Sequence, residues 1–570
     1  IKGFENIISD PYETITFNFA KDKEVKALAK QIGADGKMLH RNNEIVLGSM
    51  NEKLLIHLLT KLGNFVPEGG IWMNTQRPEW NDANNALVGK GISVVTLAYI
   101  RRYINFLINI YKDSNSESFT IRKNLYLWLT QLNGVFSNYT IKIKDKITDK
   151  YRFEIVSQLG KASETYRNSY YNAENWEDIN ISRSEIIDFL NISLISVDDS
   201  LLKNRRTDDL YHSYNTLEIS NKEIKIHYLY EMLEGQVAIL TSGLLGPKDA
   251  DKTLTALRNS AMFREDQNSY MLYPNRELLN FTKKNVIDAN KVEANPVLME
   301  LIKKGNKDLV TVDVNGKYHF NGKFKNVKQV IGTLDKLGLG RNKEIEDLFE
   351  QTFNHQSFTG RSGTFFAYEG LGSIYWHMVS KLLLAAQENL FIAKDMGLDE
   401  KLINSLKNHY VDIRNGIGYK KSAEVYGAFP FDPYSHTPFG KGAKQPGMTG
   451  QVKEEVITRL GEMGIRVING EIIFDTTLMD EDDFLTSPRI WSVKNAAGET
   501  LELNIPSGAF AGTHCQTPYI VAKGEKSCVN LYMNNGTTLV INQLKIPVEY
   551  SELIFSKSPD IKYIEIIIGK

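Results

Sequence analysis

Only two cysteines, Cys515 and Cys528, occur in 570 residues. Their spacing fits neither a zinc motif nor a CxxC redox motif, and two cysteines build no disulfide framework. No hydrophobic run reaches the roughly 20 residues of a membrane-spanning helix. Net charge is almost nil, with 68 Lys and Arg against 69 Asp and Glu, which argues against the basic footprint of a nucleic-acid binder. The ten His are scattered without an HxxxH-type ligand pair, so no metal is expected. Neither a P-loop nor a dinucleotide fingerprint is found, which leaves no expected cofactor. No solenoid period emerges. No signal peptide is visible, yet the chain starts at Ile1 without Met, so the compartment stays open.

What is present is length, aromatic content and a change of pattern. A chain of this size holds two or more domains, or one large barrel with an appendage. With 27 Tyr and 26 Phe, it has the means to line an aromatic cleft. Apolar residues recur at helical spacing in Lys53–Leu62, Val94–Tyr111, Asn124–Phe136 and Ile186–Leu202. They do so again in Tyr228–Ser242, Lys328–Leu337, Glu344–Phe353, Ser373–Ala393, Lys401–Tyr410 and Lys453–Met463. Residues 1–465 therefore read as mainly helical, with one hairpin, Val310–Phe320, around Asn315-Gly316. From Arg466 the period becomes two, as in Glu471–Phe474, Thr538–Ile546 and Lys562–Ile568, with turns at Asn469-Gly470 and Asn535-Gly536. Residues 466–570 read as a C-terminal all-β, sandwich-like domain.

Four polar clusters punctuate the helical part. The first, Arg77-Pro78-Glu79-Trp80-Asn81-Asp82-Ala83-Asn84-Asn85, packs acids, amides, a guanidinium and an indole into nine residues. Amides and carboxylates take hydroxyls in pairs, and an indole covers the apolar face of a pyranose. One carboxylic acid can also protonate a glycosidic oxygen. The plainer alternative is a polar loop with Asp82 as a helix cap. The second cluster runs from Arg264 through Tyr270 to Arg276, and can equally be a charged surface turn. The third, Tyr368 to His377, contains Glu369, Gly370, Gly372, Trp376 and His377; its histidine can also be a satisfied core residue. The fourth runs from Asp432 to Gly450 and ends on Thr449-Gly450 before a helix. There an anion cradle and an ordinary capped helix start compete.

These residues carry a family resemblance. Trp80-Asn81-Asp82 resembles the Trp-Asn-Asp signature of the cellobiose and chitobiose phosphorylases, the family-94 inverting glycoside phosphorylases, in which this Asp is the general acid. Glu369–His377 resembles the family's Glu-Asn-Gly-Gly-Ile-x-x-His element, which implies a substrate-contacting Glu369 and a phosphate-side His377. Thr449-Gly450 resembles its phosphate contact, and the passage through Gly464 to Asp475 resembles its exit into a C-terminal β-domain. The resemblance covers about half of the chain in patches. It implies an (α/α)6 toroid of the six-hairpin glycosidase type, in which loops at one end of the barrel meet over a central pit.

Two departures stand out. The span from Asp82 to Thr449 is long for the family, with an excess around 140–330 that reads as an insertion. Only one well-patterned helix precedes the Asp82 loop, so an upstream segment or a second chain is expected to complete the barrel. The implied chemistry is phosphorolysis of an oligosaccharide or glucan with inversion. Asp82 protonates the leaving oxygen, and inorganic phosphate, held by His377, Thr449 and Gly450, attacks from the opposite face. Arg77, Glu79, Trp80, Asn81, Glu369 and Trp376 bind sugar, with Arg264 and Tyr270 as outer contacts. An inverting hydrolase on the same fold is the first alternative, with Glu369 as base and Glu454 or Glu455 behind it; it needs a second carboxylate roughly 6.5–9.5 Å from the acid. A non-catalytic carbohydrate-binding lobe is the second. A phosphorylase would be cytoplasmic and a hydrolase periplasmic or secreted. The resemblance also allows a homodimer.

Overall fold

The computed structural model describes residues 1–41, 44–74, 87–172, 176–275, 279–353, 372–417, 422, 424, 434–437, 445–446 and 451–569. About half of the protein is helical, and its C-terminal region is rich in β-structure. The chain divides into two compact units. One contains residues 1–379 and 415–446; the other contains 380–414 and 447–570. The expected boundary near residue 465 thus falls inside the second unit.

Long helices dominate the first unit: Val94–Asp113, Lys123–Lys142, Asp149–Asn172 and Arg183–Lys203. The first begins where Ser93 accepts a hydrogen bond from Thr96 N–H, a side-chain N-cap. The last begins with a full capping box between Ser182 and Glu185. Strands Ser118–Arg122 and Asp178–Ser182 pair antiparallel just ahead of two of these helices. Several further helices, Pro247–Arg258 and Pro296–Lys303 among them, were invisible to apolar periodicity, and two show why. Asp149–Asn172 buries Arg152, Gly160 and Ser163 alongside its apolar residues. Phe19–Ile32 buries nothing and rests on its Asn18 cap. The expected helix Tyr228–Ser242 starts late, at Leu233. Tyr228 instead ends strand Glu223–Tyr228, which pairs with Tyr214–Ser220 across a turn at Asn221-Lys222, both at positive φ.

A five-stranded sheet sits against these helices, in the order Phe65–Val66, Gly70–Trp72, Gly91–Ser93, Tyr214–Ser220, Glu223–Tyr228. The turn that opens it is held by buried polar groups. Arg152 donates to the Pro67 carbonyl at 3.0 Å, to the Ile224 carbonyl at 2.8 Å and to Glu68 at 2.7 Å. Asn204 and Asn215 donate to the Glu68 and Gly69 carbonyls, both at 3.1 Å. Each side chain satisfies a backbone group that the tight turn leaves without a ladder partner. Arg101 works similarly, forking onto Asp198 while donating to the Ser242 carbonyl at 2.9 Å.

Residues 281–353 form their own core. Val292, Leu298, Leu309, Phe320, Val330, Leu334, Ile345 and Phe349 are buried together. The Val310–Val312 and Tyr318–Phe320 hairpin turns at Gly316, where φ is +77°. The buried Asn285 amide stands in for a third strand, donating to the Phe320 carbonyl and accepting its N–H.

The C-terminal region is β-rich rather than all-β, because helix Val548–Phe555 packs into it. Its main sheet has five strands, in the order Phe510–His514, Thr517–Gly524, Ile561–Gly569, Cys528–Met533, Thr538–Ile541. The pair Thr517–Gly524 and Ile561–Gly569 is parallel. One face packs on strands Ile465–Ile468 and Glu471–Phe474 and the helix; Leu501, Leu503 and Trp491 cover the other. Burial on both faces suits the parallel pair. Within this second unit Asp475 receives Lys394 at 2.6 Å and Arg466 at 3.1 Å. Burial opposes its charge, but these partners and Thr477 win and hold its carboxyl below the ordinary value.

Removing Arg152 strips hydrogen bonds from two carbonyls and takes the ion-pair partner from Glu68. Arg152→Met is expected to cost about 3–5 kcal/mol of stability. Denaturant melts of the two proteins check this, and a loss below about 1 kcal/mol would show that the turn does not depend on it.

Candidate functional site

The first cluster is flanked in the sequence by two paired strands. Strands Gly70–Trp72 and Gly91–Ser93 pair antiparallel. Met73 N–H donates to the Gly91 carbonyl at 2.9 Å, and Gly89 N–H returns to the Met73 carbonyl at 2.8 Å. Trp72 Nε1 adds a bond to the Gly89 carbonyl at 2.8 Å. Both feet of the 75–86 segment are thereby fixed. Arg77, Glu79, Trp80, Asn81 and Asp82 themselves lie outside the described residues.

Clusters two, three and four are joined by backbone pairing. Phe263–Arg264 pairs with Ser269–Tyr270 around Asn268, whose φ is +44°. The chain then runs alongside the third cluster. Leu272 N–H donates to the Ser373 carbonyl at 2.9 Å, Gly372 N–H donates to the Tyr273 carbonyl at 3.2 Å, and Met271 bridges Ile374. On its other edge Ile374 pairs with Thr437 and Tyr375 with His436. His436 also pairs with Gln445. Segments as far apart as Arg264 and Gln445 therefore share one run of strands. Gly416 passes so close to the Asn268 carbonyl that a Cβ would sit 2.0 Å from it.

The hairpin of the first cluster connects to the same run. Ser93 pairs with Tyr214, and Tyr214 donates its hydroxyl to Glu234 at 2.8 Å. Leu233, next to Glu234, donates its N–H to the Leu272 carbonyl at 3.0 Å. Burial, reinforced by the Glu234 carboxylate, pushes the Tyr214 phenol far above its ordinary value and keeps it a donor. Tyr214 and Glu234 carry no sequence motif. The signal available was an acid within the first turn of a helix that is otherwise apolar.

Side chains of the second cluster split by side. Arg264, Gln267, Ser269 and Tyr270 are buried, while Glu265 and Asp266 are exposed. Arg264 forks onto Asp266 at 2.7 and 2.8 Å, so its guanidinium is oriented as a plane. Trp376 and His377 open helix Trp376–Asp395 with 2% and 6% exposure. Trp376 thus presents no open ring face. Glu369, Thr449 and Gly450 lie outside the described residues.

Helix Gln451–Glu462, which follows Thr449-Gly450, belongs to the second unit and is braced there. Glu462 accepts from Tyr410 at 2.7 Å, Arg414 at 2.6 Å and Arg459 at 2.8 Å. Tyr519 of the main β-sheet donates to the Met463 carbonyl at 3.1 Å. Glu454 is buried. Glu455 has its carboxyl pushed up by burial and by Glu462, against the pull of Arg414. Among the described residues no group of three or more His, Cys, Asp or Glu could hold a metal, and no helix is long and apolar enough to cross a membrane.

Residues 278–356 match the family model described as GH149 phosphorylase insertion domain 2. No curated protein matches the chain. The match supports a glycoside phosphorylase-like family and a carbohydrate-active enzyme of phosphorylase type. It does not extend to the narrower family-94 likeness. The matched segment overlaps the excess around 140–330 from residue 278 onward. It lies between Tyr273 and Gly372, which are hydrogen-bonded to each other.

Glu455 gives a pH test with a fixed sign. Its folded-state value is raised, so folding takes up a proton between the ordinary and the raised values. Stability from this group therefore falls as pH rises through that window. Glu455→Gln is expected to melt higher than the parent at pH 8, with the difference shrinking toward pH 4. Lower stability of the variant at pH 8 would mean that Arg414 outweighs burial.

Proposed function

We propose that the protein is an inverting glycoside phosphorylase that cleaves an oligosaccharide or glucan to a sugar 1-phosphate on an (α/α)6 toroid. The observation that carries this reading is the phosphorylase insertion segment, matched at residues 278–356. It is hung between two strands of the run that unites three of the polar clusters. An insertion in that place has its two ends at the candidate site itself.

In this reading Asp82 is the general acid. It protonates the glycosidic oxygen as the bond to the anomeric carbon breaks. Phosphate attacks that carbon from the opposite face, which inverts its configuration. No protein base is needed, because phosphate is itself the nucleophile. His377 and the Thr449-Gly450 turn hold the phosphate. Arg77, Glu79, Trp80, Asn81 and Glu369 bind sugar hydroxyls and ring faces. Trp376, buried at the start of its helix, supports this site from behind, and Arg264 and Tyr270 are further sugar contacts. The Tyr214–Glu234 pair would set the position of the hairpin that carries Asp82 relative to the strand at Leu272.

Product analysis on β-linked gluco-oligosaccharides, with and without inorganic phosphate, tests the reading. Phosphate-dependent release of an α-sugar 1-phosphate is the expected result. Asp82→Asn is expected to lower turnover of an unactivated substrate by about 10²–10⁴-fold. Equal release of reducing sugar without phosphate would make the enzyme a hydrolase. Sugar binding without cleavage would make it a binding lobe. Near-normal turnover of Asp82→Asn would remove the acid assignment.

A further inference from the structure

The first unit contains a cavity of about 420 Å³ that none of the described residues of clusters two to four lines. That size falls in the roughly 300–1,000 Å³ range of small-molecule sites and far exceeds the space of a single water. Helices Met50–Leu62, Lys123–Lys142 and Asp149–Asn172 supply its walls, and Phe4, Ile7 and Ile71 line it with apolar surface.

Three features of the wall define an occupant. The first is a cation. Arg167 lines the cavity and makes no hydrogen bond or ion pair with any described residue. Its neighbouring acid, Glu164, supports the charge without a direct contact and accepts the N–H of Phe4 at 3.0 Å. Burial pushes the Arg167 guanidinium below its ordinary value, the mark of a charge taken from water without full compensation. Lys61 adds a second cation to the same lining.

The second feature is flat aromatic surface. Trp128 and Tyr166 stack at 4.3 Å with 12° between their planes, and Tyr170 follows at 5.8 Å from Tyr166. All three line the cavity. The third is unfilled hydrogen bonding. Trp128 retains 3% exposure, and its buried indole N–H has no acceptor, which a ligand oxygen would supply. Asn74, whose amide N–H₂ is committed to Asn64 at 2.6 Å, keeps its carbonyl oxygen as an acceptor for a hydroxyl.

We propose that this cavity binds a phosphorylated monosaccharide, its phosphate on Arg167 and Lys61 and its ring against Tyr166 and Tyr170, which the buried Trp128 backs. A bare oxyanion would leave the aromatic wall and most of the volume unused. A neutral sugar would leave Arg167 uncompensated. Met73, Asn74 and Val88 also line the cavity, so an occupant touches both feet of the segment that carries Asp82. The proposal concerns binding alone and does not depend on the catalytic reading.

The test is calorimetric titration of the full chain with a hexose 1-phosphate, the parent hexose and inorganic phosphate, paired with hydrogen exchange to locate the site. The hexose phosphate is expected to bind at least tenfold tighter than either fragment and to protect amides in Asp149–Asn172 and at Met73–Asn74. Arg167→Ala is expected to weaken this binding by about 10–100-fold, the size of a lost charge-assisted bond. Arg167→Lys should restore part of it. Because Arg167 makes no hydrogen bond or ion pair with a described residue, Arg167→Ala should melt close to the parent, so weakened binding is not a loss of folding. Protection within Asp149–Asn172, a helix that holds none of the proposed catalytic residues, separates this site from the catalytic one. Equal affinity of Arg167→Ala and the parent would overturn the proposal. So would inorganic phosphate binding as tightly as the hexose phosphate, or the absence of protection in Asp149–Asn172.

Discussion

Buried backbone must be hydrogen-bonded, and the candidate site is organised by that requirement. Met271 to Tyr273, Gly372 to Tyr375 and Tyr434 to Thr437 have no helix to satisfy their N–H and C=O groups, so they satisfy one another. Side chains on the first two of these segments inherit their spacing from strand geometry. The hairpin below Asp82 follows the same rule, with Met73 exchanging bonds with Gly89 and Gly91. Polar side chains fill in where strands run out. Arg152, Asn204 and Asn215 take the carbonyls of a turn that pairs with nothing.

The ionic clusters of the two units show one physical pattern. Arg101, Arg152, Arg264 and Arg414 each meet a carboxylate through two nitrogens or combine a carboxylate with a carbonyl. A guanidinium fixes direction as well as charge, which a lysine in the same place would not. Arg167 departs from that pattern, with its nearby acid committed elsewhere. A half-buried cation in that state, on the wall of a cavity, stands out against these paired arginines.

The strongly amphipathic elements were legible in the sequence. Val94–Asp113, Val327–Lys336, Lys343–Phe353 and the Val310–Phe320 hairpin lie within a few residues of their expected limits. The shift to strands after Arg466 was legible too, apart from helix Val548–Phe555. Asp149–Asn172 was not, because its buried side holds an arginine, a glycine and a serine whose roles exist only in the tertiary structure. Three polar clusters were recognised from composition, yet their union could not be, since backbone pairing leaves little trace in residue type. The Tyr214–Glu234 contact was missed for a related reason. A tyrosine in a half-buried strand and an acid in a helix's first turn are individually ordinary.

The segment Phe281–Phe353 encloses a core whose members all come from within itself. The strands it separates, at Tyr273 and Gly372, must nevertheless meet. Closing a flexible loop of that length carries an entropic cost that grows with the logarithm of its length. A segment that collapses on its own local contacts shortens the effective loop before closure begins. The folding order that follows is inside-out: the inserted module condenses first, and the strands that frame the site come together around an object already formed.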